Sequence, residues 1–151
     1  MQNKEVKILF RFYSDLLEKN MVETVWAELV DENKGHYRID NIPFYVPGIA
    51  PDDIIKAEFD ENENFLIFKE SIEYSGNSVI RVIKFDDTLD INILRNRFKE
   101  LACTSERMDN KYFVIEIPKS VDYKSIKKEL QKMEDSGILA YAEAVLSNEH
   151  K

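Results

Sequence analysis

The chain has 151 residues, 44% of them hydrophobic and 33% charged, and its nine Phe, seven Tyr and one Trp supply a core. That composition excludes global disorder and fits one domain or two small halves. With 21 Lys/Arg against 29 Asp/Glu the net charge is −8, which argues against general binding to nucleic acid or to anionic membranes. One cysteine, Cys103, excludes a disulfide framework and a cysteine-ligated zinc site, and two histidines, His36 and His150, offer little for metal or acid–base chemistry. No metal or cofactor is expected. No apolar run approaches the ~18 residues of a membrane span, and Met1–Glu5 lacks the apolar core of a signal peptide, so the expected location is cytoplasmic.

The acid is unevenly spread. Residues 1–80 carry 8 basic and 16 acidic side chains, whereas residues 81–151 carry 13 of each. The first half alternates with period two. Val6, Ile8, Phe10 and Phe12 share one face of a strand over Glu5–Tyr13, and a polar stretch, Ser14–Asn20, separates it from a strand over Thr24–Val30. Asp31–Gly35 is a turn, and His36–Val46 continues as a strand interrupted at Pro43, which suits an edge or bulge. Ile54–Asp60 and Phe65–Tyr74 form a hairpin, and Ser75-Gly76-Asn77 turns into a strand over Ser78–Phe85. Six short strands predict a curved sheet or small, partly closed barrel.

From Asp90 the grammar changes. Asp90 caps a helix carrying Ile91, Leu94, Phe98 and Leu101 on one face, followed by a strand over Leu101–Met108, a turn at Asp109-Asn110 and a strand over Lys111–Ile117. Asp122 caps a second helix that Gly137 stops, and Ile138–Leu146 is the last strand, with Ser147–Lys151 expected to fray. The expected class is α+β: an antiparallel β half over residues 1–77, then a ferredoxin-like β-α-β-β-α-β half over 78–151, the two forming one compact unit whose sixth strand serves both.

Trp26-Ala27-Glu28, the run Tyr37-Arg38-Ile39-Asp40-Asn41-Ile42-Pro43-Phe44, Asp53, and Ser75-Gly76-Asn77-Ser78 through Arg81 resemble a bacterial family catalogued as domain of unknown function 4265. The match in spacing spans about residues 6–82, and the second half fits the family in pattern only. The resemblance implies no reaction and no catalytic residues.

Candidate chemistry is sparse. His36, Arg38 and Asp40 share a strand face without a nucleophile nearby, and the polar outer face of a sheet accounts for them better than acid–base catalysis does. Cys103 shares a face with Leu101 and has no histidine beside it, so it reads as a small core residue. Asp60–Asn64 begins like a calcium loop, but Phe65 stands where glycine is required and Ser71 where the bidentate glutamate belongs. The acidic cluster Asp52, Asp53, Glu58, Asp60, Glu61 and Glu63, with Tyr45 as an aromatic anchor, is the feature with the strongest functional pull, because clustered charge speeds association with an oppositely charged partner.

The expected function is therefore a non-enzymatic cytoplasmic binding protein, an immunity-type inhibitor whose acidic hairpins occlude the basic active site of a bacterial toxin. The alternative is a small-molecule sensor with a pocket between the halves built from Trp26, Tyr37, Asp40, Asn41, Ser75, Asn77 and Arg81. A carboxylate-only hydrolase or transferase is a third reading, recognised by two carboxylates converging in a cleft.

Overall fold

The computed structural model describes residues 5–151. The chain forms two compact units, one ending at Ser75 and the next beginning at Gly76. Two sheets and two α-helices among the described residues make the class α+β.

The first unit is a closed barrel of β1 (Glu5–Ser14), β2 (Lys19–Asp31), β3 (His36–Ile39), β4 (Ile54–Asp60) and β5 (Phe65–Glu73). Each strand pairs antiparallel with the next. Five alternating strands leave the first and last running the same way, so the barrel closes by a parallel pairing, Ile8 with Leu66 and Leu9 with Ile67. Period two turns Ile8, Phe10, Val25, Ala27, Ile39, Ile55 and Ala57 inward, where all are buried. Phe10 stacks on Phe68 with ring centroids 4.7 Å apart, an arrangement worth about 0.5–1.5 kcal/mol beyond area burial. Gly35 is required in the β2–β3 turn. Its φ is +70°, and a Cβ there would lie 2.9 Å from the carbonyl oxygen of Ala57.

Three expectations for this half change. Closure takes five strands, not six, and is complete. The strand over His36–Val46 stops at Ile39: Asp40 still donates its N–H to Trp26 O, but the Trp26 N–H goes to the Asn41 side chain, and Pro43 has no N–H to continue the ladder. The second strand starts at Lys19, not Thr24. A tight turn makes this possible, with Glu18 at φ +53° and Leu17 N–H donated to Ser14 Oγ.

The second unit runs β6 (Ser78–Lys84), α1 (Ile91–Glu100), β7 (Thr104–Arg107), β8 (Tyr112–Ile117), α2 (Tyr123–Asp135) and β9 (Leu139–Val145), with strand order β7-β8-β6-β9 and every pairing antiparallel. The sixth strand thus lies inside this sheet, between β8 and β9. Ile91, Leu94 and Phe98 of α1 and Tyr123, Ile126 and Leu130 of α2 pack on Ile80, Val82, Phe113, Ile115 and Ile117 of the sheet. Each large apolar side chain so buried contributes about 1.5–3 kcal/mol.

Asp90 and Asp122 cap the helices by accepting the N–H of Asn92 and Lys124. Both helices end in a Schellman motif. In α2, Gly137 takes φ +76°, its N–H reaches Glu134 O, and Ile138 N–H reaches Met133 O. In α1 the same position is Ala102, at φ +67°, with Ala102 N–H on Lys99 O and Cys103 N–H on Phe98 O. This motif explains why the strand expected from Leu101 begins only at Thr104: Leu101 caps the helix and the chain reverses hand at Ala102.

The C-terminal residues are ordered, contrary to the expected fraying. Asn148–His150 form a 3-10 turn and His150 is buried. Its Nε2 lies 3.0 Å from Pro118 O and 3.1 Å from Val121 O, so that nitrogen carries the hydrogen. Nδ1 then accepts from the Ser78 hydroxyl at 2.6 Å, and Ser78 Oγ accepts Ser147 N–H at 2.9 Å.

A left-handed residue with a Cβ is strained by about 1–2 kcal/mol relative to glycine. Ala102→Gly should therefore raise unfolding stability by roughly 1 kcal/mol, net of glycine's entropy in the unfolded chain. Urea denaturation reads this directly, and a lowered midpoint would show that the Ala102 methyl has a packing role.

Candidate functional site

The barrel's irregular segment, residues 40–53 between β3 and β4, holds most of the residues to which the sequence drew attention. Without a ladder its backbone amides need other acceptors, and two carboxylates supply them. Glu23, on β2, accepts Phe44 N–H on Oε2 at 2.7 Å and Tyr45 and Val46 N–H on Oε1 at 2.9 and 3.0 Å. Asp53 accepts Ala50 N–H on Oδ2 at 3.0 Å and Ser75 N–H on Oδ1 at 2.8 Å. Val46 and Ile49, held this way, join the barrel core.

The acidic cluster divides by role. Asp53 is 1% exposed and belongs to the interior, where burial raises its carboxyl above the usual 3.8 against the opposing pull of the Ser75 and Ala50 amides. Asp60 accepts the N–H of Asn62 and Glu63 and so shapes its hairpin turn. Glu63 pairs with Arg11, and Glu58 lies 3.6 Å from Lys56. Asp52, Glu58 and Glu61 are exposed, while Tyr45 is half-buried.

The residues proposed for a ligand pocket also separate. Trp26, Asp40 and Asn41 are neighbours through the hydrogen bonds already described. Asp40 is also beside Glu5, whose carboxyl is raised by burial first, then by the hydrogen bond and charge of Asp40 and the charge of Glu28. Tyr37 is half-buried against the barrel core, and burial followed by the charge of Glu32 raises its phenol. Ser75 meets Asp53. Asn77 and Arg81 belong to the second unit, where Asn77 Oδ1 accepts Lys119 N–H at 2.9 Å and Arg81 lies on β6. Arg38 pairs with Glu28 at 3.5 Å on the barrel exterior, as expected for a polar outer face.

The sequence reading missed the β1–β2 hairpin. Of twelve exposed large hydrophobics among the described residues, six lie on it: Tyr13, Leu16, Leu17, Val22, Trp26 and Val30. The register pairs Lys7 with Trp26 and Arg11 with Val22, which places Tyr13, Val22 and Trp26 on one outward face. Lys7 Nζ sits 5.0 Å from the Trp26 ring centroid. A groove of about 530 Å³ runs along Arg11–Tyr13 and Asn20–Val22. The missed signal was Leu16-Leu17 inside the stretch read as polar.

In the second unit, Cys103 is buried in the core, and burial, then the charge of Glu116, pushes its thiol up to about 11, away from nucleophilic reactivity. Ser78 and His150 make a serine–histidine pair, but Ser78 is fully buried and the far imidazole nitrogen faces carbonyls. The pair fastens the C-terminus. Among the described residues no group of three or more His, Cys, Asp or Glu is placed to hold a metal ion.

Glu23→Gln keeps one acceptor oxygen for three amides, so it should cost about 1–3 kcal/mol and speed hydrogen exchange at Phe44, Tyr45 and Val46. Unchanged exchange at these amides would show that the segment is held by packing alone. Asp53 has a signed pH dependence. The folded state binds its proton more tightly than the unfolded chain, so its contribution to stability is complete below about pH 3.8 and is lost as pH rises through the raised folded value. The stability lead of the wild type over Asp53→Asn should narrow as pH rises through that window, read from urea midpoints. A lead that widens with pH would contradict a raised carboxyl.

No curated protein matches the chain. A crystal structure titled as that of a hypothetical protein from Neisseria gonorrhoeae is similar, with a TM-score of 0.81 and 24% identity over 97% of this chain and 99% of that one. That likeness concerns the fold alone. The family model described as Domain of unknown function (DUF4265) matches residues 23–141, which extends past the barrel through both helices, so the chain belongs to that family.

Proposed function

We propose that the protein is a non-enzymatic, cytoplasmic binding protein that docks its barrel onto another protein, most specifically as an immunity-type inhibitor of a basic bacterial toxin. The observation that carries this reading is the gathering of Tyr13, Leu16, Leu17, Val22, Trp26 and Val30 on one exposed hairpin. Soluble proteins scatter such residues singly, and a contiguous group is the mark of an interaction surface. Aromatic side chains are the usual hot spots of such surfaces. The same unit carries the chain's whole net negative charge, with Asp52, Glu58 and Glu61 exposed, which would steer a basic partner toward it. For the second unit, the element order β6-α1-β7-β8-α2-β9 and the strand order β7-β8-β6-β9 support a ferredoxin-like assignment.

Affinity capture from the host lysate tests the reading, with tagged wild type beside two variants. Trp26→Ala with Val22→Ser removes the apolar anchor; Asp52→Asn with Glu58→Gln and Glu61→Gln removes three exposed carboxylates of the cluster and leaves the structural ones in place. The wild type should retain one stoichiometric basic protein. The anchor variant should bind it at least about 30-fold more weakly, and the charge variant should associate about tenfold more slowly at low salt. Absence of a basic partner, or equal binding by the anchor variant, would refute the proposal.

A further inference from the structure

A second polar feature, in the other unit, is unrelated to the hairpin. Lys84 ends β6 and is 5% exposed, and no carboxylate oxygen lies within 4 Å of its ammonium among the described residues, although the charges of Lys84 and Asp86 act on one another. Its Nζ donates to the carbonyl oxygen of Asp86 at 2.7 Å, and the other two ammonium hydrogens have no acceptor among the described residues. Burying an ammonium costs several kcal/mol unless hydrogen bonds and opposite charge compensate it. The Asp86 carboxylate does not close on it, since Oδ1 accepts both the N–H and the hydroxyl of Thr88.

Lys84 lines a cleft of about 400 Å³ between the β6–α1 segment and the β7–β8 turn. Arg107, Thr88, Asn92 and Asn110 line it as well, and the guanidinium of Arg107 has no ion-pair partner within 4 Å among the described residues. Two carboxylates border the cleft and both are engaged. Asp90 Oδ1 accepts Asn92 N–H, and Asp87 lies 3.8 Å from Lys111 with its side chain 76% exposed. Asp86 and Asp109 act on Lys84 and Arg107 through charge, with no carboxylate oxygen within 4 Å of either cation among the described residues, and the two cations, of different geometry, line a polar space with the N-terminal end of α1 as one wall. The helix end adds favourable potential for an anion but does not make the site alone.

We propose that this cleft binds a small phosphate monoester, its dianionic phosphate held by Lys84 and Arg107 and its polar body by Asn92 and Asn110. A compact ammonium on the cleft floor and a planar guanidinium at the rim suit one phosphate group through charge-assisted hydrogen bonds. The cleft's volume is at the small end of ligand sites, which suits a molecule of a few heavy atoms beyond the phosphate.

Amide chemical shifts of the full chain, followed at low ionic strength with glycerol 3-phosphate, inorganic phosphate and glycerol as probes, test this. Glycerol 3-phosphate should give saturable shifts confined to Lys84–Asn92 and Arg107–Asn110, with a Kd of about 1 mM or tighter. Inorganic phosphate should bind the same amides more weakly, and glycerol should leave them unmoved. Arg107→Gln, on an exposed side chain, should weaken the ester at least about tenfold, and Lys84→Met should abolish its binding. Should Lys84→Met fail to fold, Arg107→Gln decides. Shifts that stay linear with concentration, spread over the surface, or persist unchanged in Arg107→Gln would overturn the assignment.

Discussion

Two carboxylates hold the barrel together where its ladder stops. Glu23 and Asp53 between them accept five backbone N–H groups, from Phe44, Tyr45, Val46, Ala50 and Ser75. A segment of fourteen residues without strand pairing would otherwise carry orphaned amides into the interior, at about 1–3 kcal/mol for each. Because those amides are satisfied, Ile42, Val46, Ile49 and Ala50 can be buried although their backbone is irregular. The segment therefore serves as part of the core. Asp53 bears a desolvation cost for this, which is why its carboxyl is raised even with two amides pointing at it.

The two units treat strand edges differently. The barrel removes its edges by closure, whereas the four-stranded sheet keeps two, β7 and β9, and both are occupied by side chains from the helices. Arg95 of α1 donates to Ser105 O at 3.1 Å and Ser105 Oγ at 2.9 Å on β7. Glu134 of α2 accepts Tyr141 N–H at 3.1 Å on β9. An open edge offers its amides and carbonyls to any extended chain, and a charged side chain bonded to that edge both satisfies it and repels a pairing strand. On the binding role proposed above, this arrangement would leave the barrel hairpin, not the sheet edge, as the surface for a partner.

Much of the fold was legible because its punctuation is local. Asp90 and Asp122 cap helices, Gly137 ends one, and Ile54–Asp60 pairs with the strand from Phe65, all from residues adjacent in sequence. What was not legible depends on distant partners. His36–Val46 alternates like a strand, and only the Asn41 side chain on the Trp26 amide and Glu23 on the amides beyond Pro43 divert it. The C-terminus reads as a polar tail until Pro118, Val121 and Ser78 are brought around His150. The exposed hairpin was hidden by composition, since Ser-Asp-Leu-Leu-Glu-Lys-Asn averages to polar although its two leucines face outward.

The candidate site was legible as a charge excess and, for its apolar part, in Trp26 alone, and the structure changes what that excess means. Sixteen acidic residues precede residue 80, but a carboxylate engaged by backbone amides contributes mainly to its own neighbourhood. Glu23 and Asp53 are spent on the irregular segment, Asp31 and Asp60 on turns, and Glu28 and Glu63 face Arg38 and Arg11. Exposed pairs of this kind add little to stability, yet each cancels charge that a distant partner would otherwise feel. The steering field of the barrel therefore comes from a smaller set, including Asp52 and Glu61, than composition suggests. On the binding role proposed above, orientation of a partner would come from the apolar hairpin, where Trp26, Val22 and Tyr13 share one outward face and would fix a direction that diffuse charge cannot.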